Sequence, residues 1–312
     1  MPFRRAQRAA TAACVFLVCV GLFLSAVPAG TALAQPAGRG QQSGDARKKP
    51  KSRSLRWDPP PVDAPFHLTA SSTPCQLETV LEQAGNRASE MVANLQNFTA
   101  QEDVQYQIVG RAFNLQDFGS EQFEYVVSFG PPENGLVVEE YRHPIHGSSS
   151  TAAATQDNGL PEMALLFLPE LQQDYEMACE GGAERNGRVG WVVHFQQRPE
   201  RPRRTFAFHA GGRNFPARLK GRAWVAADTG EILHLETGLI EEIPAVHVKH
   251  WYLSIDYAPV QFQSRPVSIW LPQSADGYCD FGDHRTIVYH TFSEFMLFSV
   301  QTGQRIAKPK AP

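Results

Sequence analysis

Few residues in this chain have the type and spacing that chemistry needs, and geometry disposes of most of them. His247 and His250 could suggest a metal site, but they fall in a predicted strand over 246–258. Strand residues three apart point to opposite faces, so the two imidazoles could not share an ion. His143 and His146 flank Pro144 in a predicted loop and lack a nearby third ligand. His284 and His290 share one strand face, yet six residues of strand span about 20 Å, too far for one metal. Gly147-Ser148-Ser149-Ser150 lacks the second glycine of a nucleophile elbow. Tyr252, Ser254 and Asp256 share a strand face with His250 and read as solvent-facing side chains. Glu139-Glu140 and Glu241-Glu242 are sequence neighbours and read as solvated charges, unlike the spaced pair that acid–base catalysis uses. No catalytic residue, metal ligand or cofactor-binding residue is assigned.

The chemistry that remains is burial of apolar surface. Met163, Leu165, Leu166, Phe167 and Leu168 form the most apolar stretch beyond residue 34, in a short helix predicted over 160–171 between Pro161 and Pro169. Core packing explains this stretch, and so does a lid that sets Leu166 or Phe167 against a bound chain. In Trp251–Tyr257 the residues Trp251, Leu253, Ile255 and Tyr257 alternate with Tyr252, Ser254 and Asp256. The hairpin 221–239 turns at Asp228-Thr229-Gly230 and carries Trp224 on one face and small apolar residues on the other. Strands with something to pack on both faces suit a curved sheet whose inner side holds a helix or a half-open apolar cavity. Leu165, Leu166, Phe167, Trp224, Trp251, Leu253 and Ile255 are the candidate apolar-ligand contacts.

The elements that must position them follow from periodicity. Leu77, Val80, Leu81, Ala84, Ala88, Met91, Val92 and Leu95 recur at helical spacing, which predicts an amphipathic helix over 74–98. Thr73 would cap it, Pro74 would occupy its first position and Gln76 would complete a capping box. From Thr99 onward the period is two. Predicted strands cover 104–108, 123–129, 136–141, 173–180, 188–197, 203–209, 217–227, 231–240, 246–258, 265–271, 284–291 and 294–300. Residues 147–159 read as a flexible loop and 273–283 as a long one. Strands do not alternate with helices, which excludes a doubly wound α/β fold. The expected class is mainly β within α+β, one large curved antiparallel sheet with a few helices against it.

Arg4, Arg5 and Arg8, the apolar run 14–27 and Ala32-Leu33-Ala34 predict a signal peptide over 1–34 and hence a periplasmic or secreted protein. Residues 35–64 read as a disordered, basic, proline-rich linker, 65–303 as one β domain and 304–312 as a tail. The run 39–56 holds seven bases against Asp45. Setting aside these and the three signal arginines leaves 19 basic against 31 acidic residues from Trp57 onward, a net of −12. A body so acidic argues against nucleic acid as partner. The basic run suits an anionic membrane surface as well as it suits a solvated linker. Within the body, 198–222 gathers eight bases against Glu200. Arg203 and Arg204 are the candidate contacts to an anionic partner; a face balanced by distant acids explains the run equally. Of Cys75, Cys179 and Cys279, the first falls at a helix start and the second in a strand, so a staple between Cys75 and Cys179 is the first choice.

The order of elements resembles the bacterial lipoprotein-carrier superfamily (LolA, LolB and the RseB N-terminal domain). The features that carry it are the N-terminal amphipathic helix followed by Phe98-Thr99-Ala100, the strand Gly221–Val225 with its Asp228-Thr229-Gly230 turn and Ile232–Leu235, and the closing Phe298-Ser299-Val300. They span most of 73–302. The inserts around 143–160, 198–222 and 273–283 depart from the family pattern. The resemblance implies an unclosed β-barrel with helices as its lid, an interior that holds acyl chains, and no catalytic residues. The expected function is non-catalytic binding of a lipid, an acylated protein or another apolar ligand in the cell envelope. A stress-sensing or scaffold module acting through a protein partner is the alternative, with a hydrolase behind it.

Overall fold

The computed structural model describes residues 55–69, 74–95, 97–130, 138–146, 160–201, 207–210, 213–262 and 268–298. The predicted signal peptide, the loop 147–159, the tail 304–312, Thr73, Arg203 and Arg204 lie outside the described residues.

Twelve strands run in chain order: β1 (Asn97–Gly110), β2 (Leu115–Phe129), β3 (Val138–Pro144), β4 (Tyr175–Arg185), β5 (Arg188–Gln197), β6 (Ala207–Ala210), β7 (Arg213–Pro216), β8 (Leu219–Ala226), β9 (Ile232–Leu239), β10 (His250–Gln261), β11 (Ser268–Asp280) and β12 (His284–Leu297). Ten of them form one antiparallel sheet, ordered β3-β2-β1-β12-β11-β10-β9-β8-β5-β4, and β6 and β7 make a separate hairpin. Two meanders are stitched together where β1 pairs with β12, and the sheet stays unclosed between its edges β3 and β4.

Helix α1 (Leu77–Asn94) lies on one face of this sheet, followed in the chain by a 3₁₀ helix (Glu162–Phe167) and the short α2 (Pro169–Gln172). Val80, Ala84, Ala88 and Met91 of the α1 stripe join one core cluster with Phe98, Tyr125, Phe195, Leu235, Trp251 and Phe292 of the sheet. The helix is shorter than its periodicity predicts. Gln76 is its N-cap, makes no capping hydrogen bond and is extended, while Thr73, the cap expected from sequence, lies outside the described residues. A disulfide from Cys75 to Cys179 on β4 holds the preceding residues to the sheet, and helical geometry begins only at Leu77. At the far end Leu95 is extended, and Phe98 packs in β1 against Tyr125 and Phe295 instead of continuing the helix.

Three further expectations are corrected. The single helix predicted over 160–171 is two pieces, because Leu168 takes φ −56° and ψ 135°, the extended backbone imposed on a residue before proline. The predicted loop 273–283 is mostly strand. Neighbours on both sides pair β11 from Ser274 to Asp280, and Pro272 is tolerated where the register with β10 shifts. The two predicted strands 284–291 and 294–300 are one strand, β12, in which Glu294 absorbs the irregularity at φ +53°.

Residues 55–64, expected in a disordered linker, are docked on the sheet face opposite the helices. The strap 55–69 crosses that face transversely. Trp57 meets Tyr278 and Tyr252 edge-on, Val62 is buried, Asp63 bonds Lys220 and His194, Phe66 meets Trp224, and Thr69 bridges to Gly182 on β4. Arg222, buried on β8, donates to the carbonyls of Val62 and Ala64. The strap explains why Trp224 and Tyr252 are apolar on a second face.

Candidate apolar site beneath the helical cover

Leu253 and Ile255 on β10 project toward the helices, as do Trp251 beside them and Leu235 on β9. From above, Leu165, Leu166 and Phe167 come down from the 3₁₀ helix. These predicted contacts meet in one cluster, and Leu165, Phe167, Trp251, Leu253 and Ile255 have no measurable exposure. Trp224 does not join them. It sits on the other face with Phe66, Val192 and Leu233.

Among the described residues, polar ties hold the cover at several points, and Arg87 on α1 donates through Nε to the Thr229 carbonyl. Gln172 donates through Nε2 to the carbonyls of Leu81 on α1 and Phe167 on the 3₁₀ helix, and the Tyr257 hydroxyl donates to the Leu160 carbonyl at 3.3 Å. Gly85 permits the close approach of the two helices, since a Cβ there would lie 3.1 Å from the Phe167 carbonyl oxygen. One cleft opens beside the cover. Between α1 and the start of β11, a cleft lined by Met91, Ala164, Ile232, Tyr257 and Ile269 encloses about 40 Å³, against the several hundred Å³ of an ordinary ligand pocket.

The mouth of this cleft is charged. Arg87 lies 2.6 Å from Glu90 and 3.4 Å from Glu231. Burial pushes the Glu231 carboxyl up to about 7; Arg87 opposes the shift and Glu90 adds to it. The Ser268 hydroxyl at the same cleft is buried without a hydrogen-bond partner among the described residues.

Sequence reading missed two polar clusters. On the helix side, Glu102 accepts from Arg142 at 2.7 Å and meets His290 at 2.7 Å, all three being almost fully buried. Burial would raise the Glu102 pKa, but Arg142 and His290 outweigh it and hold it at about 2. On the strap side, His234 lies between Asp256 at 2.8 Å and Glu236 at 3.0 Å, with Arg185 also on Asp256. Asp256 is therefore not a free solvent-facing carboxylate, and Tyr252 from the same strand face is buried under Trp57. Both ring nitrogens of His234 are engaged, which suits a structural bridge. The alternating polar residues of β10 were the available signal, but their partners on β4 and β9 are set by strand pairing. His247 and His250 do not share a strand: His247 ends a 3₁₀ turn at φ +57° and β10 begins at His250.

The basic run 198–222 is largely neutralised where it is described. Arg198 pairs with Glu176, Arg201 with Asp174, Arg218 with Glu241, Lys220 with Asp63 and Arg222 with Glu180.

No family model matches this chain, and no curated protein matches it. Among solved structures, it is similar to a DUF1329 family protein from Desulfovibrio piger at 10% identity and a TM-score of 0.40, over 71% of this chain and 92% of that one. A putative outer membrane lipoprotein-sorting protein domain from Vibrio parahaemolyticus matches at 11% identity and 0.38, over 73% and 95%. A LolA superfamily protein from Nitrosomonas europaea matches at 10% identity and 0.33, over 73% and 96%.

Proposed function

We propose that this is an exported, non-catalytic binding protein of the cell envelope, and that it takes an apolar ligand, a lipid or the acyl chain of a protein, beneath its helical cover. One observation carries the reading: an unclosed sheet presents a broad apolar face, and its cover, a helix and a short 3₁₀ segment, packs on it through one apolar cluster. Because the cleft between α1 and the start of β11 holds only about 40 Å³, a ligand at this place enters by displacing the cover. Leu165, Leu166 and Phe167 would then exchange sheet contacts for ligand contacts over Trp251, Leu253 and Ile255. Trp224 has no part in this reading. The Cys75–Cys179 disulfide supports an oxidising compartment.

The same small volume favours a second reading, a sensing or scaffold module that binds a protein partner and no lipid. Native mass spectrometry of the chain from Gln35, purified from a periplasm without detergent, separates the two. Adducts in the mass range of a phospholipid or acylated peptide support the first. A clean mass that takes up no lipid on titration overturns it and leaves the second.

For the anionic surface expected from the basic segments, Arg203 and Arg204 remain the proposed contacts within 198–222. Their charge reversal should weaken binding to anionic vesicles at low salt, and unchanged binding would remove them from this role.

A further inference from the structure

The groove of interest lies at one end of the sheet, where three connections meet: β1 to β2, β9 to β10, and β11 to β12. It is half-open, measures about 560 Å³ and lies apart from the helix-covered face. We propose that this groove binds the anionic headgroup of a membrane phospholipid and marks the end of the molecule that meets the bilayer.

Two cations converge there. Arg111, from the β1–β2 turn, donates through Nε to the carbonyl of Gly282 in the β11–β12 turn. Lys249 packs its side chain on the same glycine, since a Cβ at Gly282 would lie 2.8 Å from its Cε and 3.1 Å from its Nζ. Neither has a carboxylate partner among the described residues, in contrast to the paired bases of 198–222. Of the acids at the groove, Asp283 is engaged by His284 at 2.7 Å, which leaves Glu242. The floor is apolar. Val248 belongs to the main core cluster, and Val246 and Phe281 pack against it. Unpaired cations above an apolar floor fit a phosphate carried by an apolar body.

Chain continuity supplies the source of that phosphate. Arg56 stands over the ring of Phe113, two residues beyond Arg111, and Trp57 docks on Tyr278 of β11. The described chain therefore begins at this same end, and in the sequence Arg47, Lys48, Lys49, Lys51 and Arg53 come just before it. A body of net charge −12 is repelled by an anionic bilayer, and a local positive region is what lets it approach.

The test is flotation of the chain from Gln35 with vesicles containing phosphatidylglycerol, against vesicles of phosphatidylcholine alone. Arg111→Gln with Lys249→Gln should weaken phosphatidylglycerol binding by about five-fold for each charge removed. Lys249→Glu, which leaves the Arg111 bond to Gly282 in place, should weaken it as well. Arg218→Gln, at a base already paired with Glu241, is the control and should change little. Wild-type affinity in the double variant overturns the proposal. So does equal binding to phosphatidylcholine vesicles, and so does saturable binding of free glycerol phosphate with no binding to either vesicle, which would make the ligand a soluble anion. Native mass spectrometry of the Arg111→Gln, Lys249→Gln variant separates the two sites: a lipid adduct that survives in the variant belongs to the covered apolar face, and one that is lost belongs to this groove.

Discussion

At the residue scale, two buried charges give opposite pH signatures. Glu231 titrates at about 7 in the folded protein, because burial disfavours its charge, against 4.5 when unfolded. Its contribution to stability is fully present below pH 4.5 and is lost as pH rises to 7 and beyond, a change of about 3 kcal/mol. Glu231→Gln should flatten stability between pH 5 and 8 in urea titrations; a variant that keeps the wild-type slope would refute the assignment. Glu102 runs the other way. Held at about 2 by Arg142 and His290, it contributes stability above pH 4.5 that is lost as pH falls toward 2. Arg142→Met leaves a carboxylate buried without its cation and should cost about 3–5 kcal/mol. Adding Glu102→Met should recover part of that loss. A double variant less stable than the single one would show that the pair does not act as a unit.

At the element scale, the strap and the disulfide hold opposite faces of the sheet. Phe66 ties the strap to Trp224, and the Arg222 guanidinium lies 4.7 Å from its ring centroid. Phe66→Ala should cost about 1–2 kcal/mol for a half-buried ring and should raise hydrogen exchange at Thr69 and Gly182 before the rest of the sheet. Uniform exchange across the sheet would mean that the strap does not detach as a unit. On the other face, Cys75 and Cys179 close a separation of 104 residues. By loop entropy, reduction should lower stability by up to about 4–5 kcal/mol. It should also free the start of α1, read as increased exchange in Leu77–Leu81. The elements themselves were legible where one signal dominated, as in β5, predicted and found at 188–197. They were misread where local and tertiary signals conflict. Residues 273–283 read as a loop, yet β11 runs through Asp280 because pairing on both sides outweighs the local preference.

At the scale of the whole molecule, the helices cover one face of the sheet and the strap crosses the other. Ligand entry under the helices predicts a localised response. Titration with a lysophospholipid should raise exchange in 160–172 and α1 while leaving the pairing of β8 with β9 protected. Uptake with no change in the cover would place the ligand elsewhere, and the end groove would be the next site to examine.

The sequence by itself determined the mainly β class, the amphipathic helix against the sheet and the apolar residues of the 3₁₀ segment and β10. Those are properties of periodicity, and a period of 2 or 3.6 is written in consecutive residues. Only the tertiary structure decided which face each strand turns to the helices and that a proline-rich segment would dock as a strap. It also decided that Glu102 would meet Arg142 and His290, and that Arg111 would reach the Gly282 carbonyl. Those pairings join residues from 40 to 188 positions apart in the chain, and they follow from strand order and register, which no short window of sequence specifies.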